Sequence, residues 1–239
     1  MSVKKTAIVF YSAGKDSHLA LLSAVKKGYS PFLVTFRGGK NHRRYFNDLP
    51  KVEIVKEQAG LMGFPIFVCG VKSHPDSFLF ERVMVFLKNK IFVRNGSDKI
   101  AHFSSNDYQE EKRDKTENKK FIRICSRLDI AFIPFKKIIK EDATFAPIGM
   151  ALKEKVESII VSTDVNVDRK WLGRRCDGKF VGYIKGESQK GNKIDANNFQ
   201  TLVVKSPLFK KRLKILKHSI FAGGERGQAF LKVDKYEFE

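Results

Sequence analysis

Ser12-Ala13-Gly14-Lys15-Asp16-Ser17 is the stretch of this chain best equipped for chemistry. It lies where a short apolar, β-branched-rich run, residues 6–11, gives way to a helical pattern carrying Leu19, Leu22 and Val25. Backbone N–H groups at a helix start have no intrahelical acceptor, so an anion placed there gains hydrogen bonds and the favourable end of the helix dipole. Gly14 lets the backbone come close to such an anion, Ser12 and Ser17 add hydroxyl donors, and Lys15 adds a point charge. Asp16 is odd in a pure anion site. Beside a phosphate chain it fits a Mg²⁺ ligand or a group that orients the loop.

The elements that must position this turn alternate. Residues 6–11 read as a first strand and 17–27 as a helix stopped by Gly28. Residues 31–36 and 66–68 are strands, separated by a helix that Pro50 opens and Gly63 stops. Asp76 can cap a helix running through Phe78, Val83, Phe86 and Leu87. Residues 100–103 and 130–133 are two more strands around a helix at 121–128, and the charged stretch 110–120 reads as an exposed insertion or helix surface. This rhythm over residues 1–135 argues for a parallel, doubly wound α/β sheet. After residue 136 the rhythm changes. Residues 156–162, 201–205, 212–218 and 228–236 read as strands, 186–198 as a loop, and Gly223-Gly224 as the last turn. Two domains are expected, residues 1–135 and a β-rich unit at 136–239.

The turn at residues 12–17 resembles the PP-loop, S-x-G-x-D-S, of the N-type ATP pyrophosphatases, which bind the pyrophosphate of ATP and release it. It is not a Walker A sequence, because GxxxxGK[ST] occurs nowhere in the chain. Relatives often carry Gly where Ala13 stands. Further along, Gln58-Ala59-Gly60-Leu61-Met62-Gly63-Phe64-Pro65 looks like the QAxxxGxP segment of the diphthine–ammonia ligase family. Asp107-Tyr108-Gln109 resembles that family's S-[DE]-Y-Q, and Cys125-Ser126-Arg127-Leu128 its CxRLGL. Trp171-Leu172-Gly173-Arg174 matches W-L-G-R. Thr201-Leu202-Val203-Val204, with Pro207-Leu208-Phe209-Lys210-Lys211-Arg212, matches T-x-V-[VL]-x-x-P-L-F-K-K-R.

The resemblance implies a Rossmann-like, HUP-type sheet followed by a smaller β-rich α/β domain. It implies an ATP-dependent ligase that adenylates a carboxylate on a modified histidine of translation elongation factor 2, releases pyrophosphate, and forms an amide with ammonia. Ser12, Ala13, Gly14, Lys15, Asp16 and Ser17 would hold the phosphates of ATP, with Asp16 binding Mg²⁺ and Lys15 and Asp16 catalytic. Phe36 and Arg37, ending the second strand, are expected beside the base or ribose, where doubly wound sheets bind nucleotides. The acceptor is expected against Asp107, Tyr108 and Gln109, and against Trp171, Gly173, Arg174, Asp195 and Asn198 of the second domain. Asp195 is the expected catalytic carboxylate there, since near the α-phosphate it could orient an amine or help hold Mg²⁺.

The chain departs from the family where G-E-x-G-E-[FY] usually precedes the T-x-V strand. Here the aligned residues are Ile194-Asp195-Ala196-Asn197-Asn198-Phe199-Gln200, with one acid kept as Asp195 and the other replaced by Asn198. Two other readings stay open: a PP-loop enzyme acting on RNA, and a non-catalytic ATP-binding paralogue with a degenerate substrate site.

Charge keeps the RNA reading in play, because 46 Lys and Arg against 26 Asp and Glu leave +20. The longest basic run is three residues, Lys210-Lys211-Arg212, so there is no basic arm, and most of this charge reads as solvated helix faces. The longest apolar runs, residues 7–11 and 83–87, are five residues long, far too short to span a bilayer. Cys69, Cys125 and Cys176 are far apart and form no CxxC pair, so a reducing, cytoplasmic setting is expected. His18, His42, His74, His102 and His218 show no ligand spacing and read as surface or helix residues.

Overall fold

The computed structural model describes residues 5–38, 52–71, 77–96, 99–104, 112–134, 145–223 and 227–239. Asp76, Asp107, Tyr108 and Gln109 lie outside the described residues, as do His42, His74 and Gly224.

Five strands form a parallel sheet in the order β3-β2-β1-β4-β5: β1 Lys5–Phe10, β2 Ser30–Gly38, β3 Ile66–Val71, β4 Lys99–Ser104 and β5 Ala131–Pro134. Parallel neighbours need crossovers, and the chain supplies them with α1 (Lys15–Lys26), α2 (Val52–Met62), α3 (Ser77–Asn95) and α4 (Lys112–Arg127). The strand order reverses beside β1. The turn after β1 therefore leaves the sheet at its switch point, the end at which such sheets bind ligands.

Alternation along the strands selects the core. Ile8 of β1, Phe32, Val34 and Phe36 of β2, and Ile100 of β4 pack with Phe80, Val83, Met84 and Leu87 of α3 and with Ile124 and Cys125 of α4. The buried stripe of α3 is thus not the expected one. Phe78 is 66% exposed and Phe86 43%, because the helix is apolar on more than one face and the sheet accepts only the face carrying Phe80. Helix α4 begins at Lys112, so the charged stretch from there onward is its first turns and not an insertion.

The second sheet is antiparallel, in the order β7-β6-β9-β8, with β6 Glu157–Thr163, β7 Phe199–Lys205, β8 Leu213–Ala222 and β9 Ala229–Phe238. Two helices that sequence patterning misses accompany it, α5 (Ala146–Lys153) and α6 (Gly178–Gln189). Helix α6 runs into the expected loop at 186–198. Its start is set by Asp177, whose carboxylate accepts from the Lys179 N–H at 2.9 Å, a capping bond that offsets an otherwise polar, Gly-containing helix.

The chain forms two compact units that do not follow chain order. One is Met1–Tyr11, Leu19–Asn47 and Phe64–Lys140; the other is Ser12–His18, Asp48–Gly63 and Glu141–Glu239. The turn after β1 belongs with the antiparallel sheet. Among the described residues, no helix is long and apolar enough to cross a membrane.

His18 stands on a helix, α1, as read, whereas His102, on a strand, departs from the surface-or-helix reading. His18 is fully buried, and His102, on β4, is 2% exposed with Nδ1 hydrogen-bonded at 3.2 Å to the Ile8 carbonyl. Neither is a surface residue.

Candidate functional site

The turn at residues 12–17 is built from its own hydroxyls. Ser17 Oγ accepts from the Ser12 N–H at 3.2 Å and donates to the Gly14 carbonyl at 3.0 Å. Ser12 Oγ lies 3.1 Å from Ser17 Oγ and 3.4 Å from the Gly14 nitrogen. Ala13, fully buried, takes a left-handed φ of 61°. An L-residue pays about 1–2 kcal/mol for that conformation. Its carbonyl recovers a partner by accepting from the Val203 N–H of β7 at 2.9 Å.

Strand β7 also explains Gly14. A Cβ placed there would meet the Thr201 carbonyl oxygen at 3.3 Å and Ser12 Oγ at 3.4 Å. The glycine is needed for the approach of β7, a reason that sequence spacing did not supply. The Lys15 N–H, the first of α1, donates to Thr201 Oγ1 at 3.1 Å. One turn on, His18 Nε2 lies 2.6 Å from Ser206 Oγ, and the His18 ring stands edge-on to Phe209. From α2, Gln58 Nε2 donates to the Val203 carbonyl at 2.7 Å, so two of the motifs seen in sequence meet on one strand.

The Lys15 side chain is 3% exposed and donates from Nζ to Asp16 Oδ2 at 2.9 Å. Its ammonium also lies 5.3 Å from the centre of the Phe199 ring, a cation–π distance. Burial works against this charge, but the Asp16 carboxylate and the Cys176 sulfur outweigh it and hold the Lys15 pKa above its usual value. Burial also pushes the Cys176 thiol up to about 11. At neutral pH that thiol carries no charge, so Asp16 is the counter-ion that matters. The other Asp16 oxygen, Oδ1, is buried and has no hydrogen-bond partner.

The residues expected around the acceptor sort differently. Trp171 ends a short 3-10 turn, Arg169–Trp171, and is 9% exposed. Its ring meets Phe180 at 5.0 Å and Tyr183 at 5.2 Å, and Phe180 meets Phe199 at 4.9 Å, which joins this aromatic cluster to the ring under Lys15. Trp171 Nε1 is buried without a partner. The Arg174 guanidinium lies 5.9 Å from the Trp171 ring centre. Gly173 has φ 78° and gives its N–H to the Ile160 carbonyl at 2.8 Å. That places it as the turn residue folding W-L-G-R against β6, a conformation a side chain resists.

Asp195 and Asn198 shape a turn. Asp195 Oδ1 accepts from the Asn197 N–H at 2.7 Å, and Asn198 Oδ1 accepts from the Asp195 N–H at 2.6 Å. Asn198 Nδ2 donates to the buried Asp164 carboxylate at 2.6 Å. Asp164 escaped sequence reasoning because nothing in its neighbourhood marks it as a partner of residue 198. Phe36 is 4% exposed and packs edge-on against Phe10 at 5.1 Å in the core of the parallel sheet, while Arg37 beside it is exposed.

Residues 4–84 match the diphthamide synthase N-terminal domain, and residues 148–237 match the diphthamide synthase C-terminal domain. No curated protein sequence matches the chain. Among solved structures, it is similar to a predicted subunit of tRNA methyltransferase from Methanocaldococcus jannaschii, at 16% identity and a TM-score of 0.41, over 86% of this chain and 98% of that one. It is also similar to a class III photolyase from Agrobacterium tumefaciens, at 13% identity and a TM-score of 0.34, over 64% of this chain and 32% of the photolyase.

Proposed function

The chain belongs to the diphthamide synthase family, and from that premise we propose that it is a cytoplasmic ATP-dependent ligase that adenylates a carboxylate, releases pyrophosphate and forms an amide with ammonia. The observation that carries this reading is the Lys15–Asp16 pair at the start of α1, in which the lysine ammonium is buried. A buried ammonium at a helix N-terminus is a costly arrangement for structure alone, whereas it suits a chain of phosphates.

In this reading Lys15 Nζ, already charged and held in place by Asp16, faces the negative charge that gathers on the departing pyrophosphate. A preoriented charge in a site shielded from water needs no reorganisation during the reaction. The Ser12 and Ser17 hydroxyls, now satisfied within the turn, turn outward as donors to phosphate oxygens. The Asp16 Oδ1 atom, buried without a partner, fits a Mg²⁺ ligand. An ion there would be held by that one carboxylate and by phosphates. Mg²⁺ would neutralise phosphate charge there and draw electrons from the scissile bond.

Of the two residues expected near the base or ribose, only the exposed Arg37 is proposed there, because the Phe36 ring is spent on the core. For the acceptor, a carboxylate borne by a macromolecule such as an elongation factor 2-like protein, the indole N–H of Trp171 is the strongest contact, because it is buried and unpartnered. Gly173 and Arg174 accompany it, Asn198 shapes the loop, and Asp195 offers the oxygen that its turn leaves unused.

ATP affinity in wild-type protein and in a Lys15→Ala, Asp16→Ala double variant tests the reading, alongside AMP formation from α-labelled ATP in cell extract. Loss of both ATP binding and AMP formation in the double variant is expected. Equal affinity in the two proteins overturns it.

A further inference from the structure

We propose that Thr201 and Ser206 are positioning residues of the phosphate loop, acting through the Lys15 backbone N–H and the His18 ring. The inference rests on the reading that this loop holds the phosphates of ATP, and it adds to that site two side chains from the far end of the sequence.

A loop that must present its N–H groups to an anion needs something outside itself to fix its shape. The loop's own hydrogen bonds do not suffice, because both of its serine hydroxyls are the groups that must turn to a ligand. Strand β7 supplies the missing restraint. Ala13 and Lys15 face Val203 and Thr201 as if the loop were one more short strand: the Ala13 carbonyl accepts from the Val203 N–H at 2.9 Å, and the Lys15 N–H donates to Thr201 Oγ1 at 3.1 Å. The second of these bonds is made by a side chain, so a substitution can remove it without disturbing the strand. Thr201 is 8% exposed, which keeps water from replacing its hydroxyl.

The second contact lies one helical turn further along α1. His18 and Ser206, fully buried and 5% exposed, meet at 2.6 Å, and Phe209 braces the imidazole at 5.3 Å between ring centres. Ser206 Oγ is itself fixed, because it accepts from the Leu208 N–H at 3.1 Å in the turn after β7. The helix is therefore held at its first residue and again at its fourth. Rotation of α1 about its axis, which would swing the Lys15 ammonium off its line, is blocked at two points.

This gives the T-x-V-V and S-P-L-F segments a physical task. They hold the loop from the second domain's side while Asp195 and Asn198, in the loop just before them, have diverged. A Thr201→Val chain keeps the shape and loses the acceptor, a Thr201→Ser chain keeps the acceptor, and a Ser206→Ala chain removes the second contact.

Residue-resolved amide exchange of the full chain, without nucleotide, reads the restraint directly. Faster Lys15 exchange by about tenfold is expected in Thr201→Val, with Thr201→Ser close to wild type. The Kd for ATP should rise about two- to tenfold in Thr201→Val and in Ser206→Ala, and stay within about twofold in Thr201→Ser. Lys15 exchange that is the same in Thr201→Val as in wild type overturns the inference, whatever ATP does. So does an unchanged Kd in Thr201→Val when the wild type binds ATP, since a merely structural threonine would alter stability alone. Wild-type protein that binds no ATP instead defeats the functional reading, and the exchange comparison still decides whether β7 holds the loop.

Discussion

Lys15 Nζ and Asp16 Oδ2 are 2.9 Å apart, yet the two side chains are unequally shielded, at 3% and 40% exposure. That inequality makes the pair asymmetric to mutation. Asp16→Asn leaves a buried ammonium without a counter-charge, whereas Lys15→Met leaves a carboxylate that water can reach.

The first prediction is therefore a cycle on this pair. Asp16→Asn should destabilise the chain by about 2–4 kcal/mol, Lys15→Met by about 1 kcal/mol or less, and the double variant should recover most of the Asp16→Asn loss. Urea unfolding of the four proteins at pH 7 measures it. A Lys15→Met cost as large as that of Asp16→Asn would contradict the asymmetry.

A second prediction concerns pH. Burial pulls the pKa of His18 from 6.5 down to about 3 and that of His102 from 6.5 down to about 4. Above pH 6.5 both rings are neutral in the folded and the unfolded chain, and their contribution is complete. Below it the unfolded rings take up protons that the folded rings refuse. Each then drains about 1.4 kcal/mol of stability per pH unit. The drain stops only as pH falls through about 4 for His102 and about 3 for His18. Urea midpoints between pH 6.5 and 5, before most carboxylates titrate, should drop steeply, and less so in His102→Gln. A flat profile over that range would rule out two buried neutral imidazoles.

Asn198 supplies the third. Its amide joins the Asp164 carboxylate to the Asp195 N–H, and only an amide both donates and accepts at those two places. Asn198→Asp, which restores an acidic residue where family members carry one, would set two carboxylates against each other at hydrogen-bond distance. The variant should lose about 2–3 kcal/mol at pH 7 and regain part of it near pH 4, where the two oxygens can share a proton. Thermal midpoints at the two pH values test this, and a variant as stable as wild type at pH 7 would show that the bridge is dispensable.

The same residue shows why part of the second domain was hard to read. In sequence Asn198 is a lost acid, and the loss looks like decay. In the fold it is a matched partner of Asp164, thirty-four positions earlier. Asn198 carries no charge, and its amide bridges the Asp164 carboxylate and the Asp195 N–H.

Local pattern determined much of this protein. Periodicity of apolar residues, with Gly28, Pro50 and Gly63 as punctuation, located the parallel strands and the first helices, because a strand or helix must expose its apolar residues at its own period in order to bury them. The residues at 12–17 raised the expectation of an anion site by type alone, from serine hydroxyls, a glycine and a lysine at a helix start. Tertiary structure decided everything that depends on distant chain segments meeting. It chose which apolar face of α3 is buried, since Phe78 and Phe80 are equally apolar and only the sheet distinguishes them. It turned His18 and His102 into core residues. It also placed the loop at 12–18 with residues 141–239 and not with the strand that precedes it. The Lys15 N–H finds Thr201 across 186 positions, a bond that no local spacing encodes because its geometry exists only once β7 is folded.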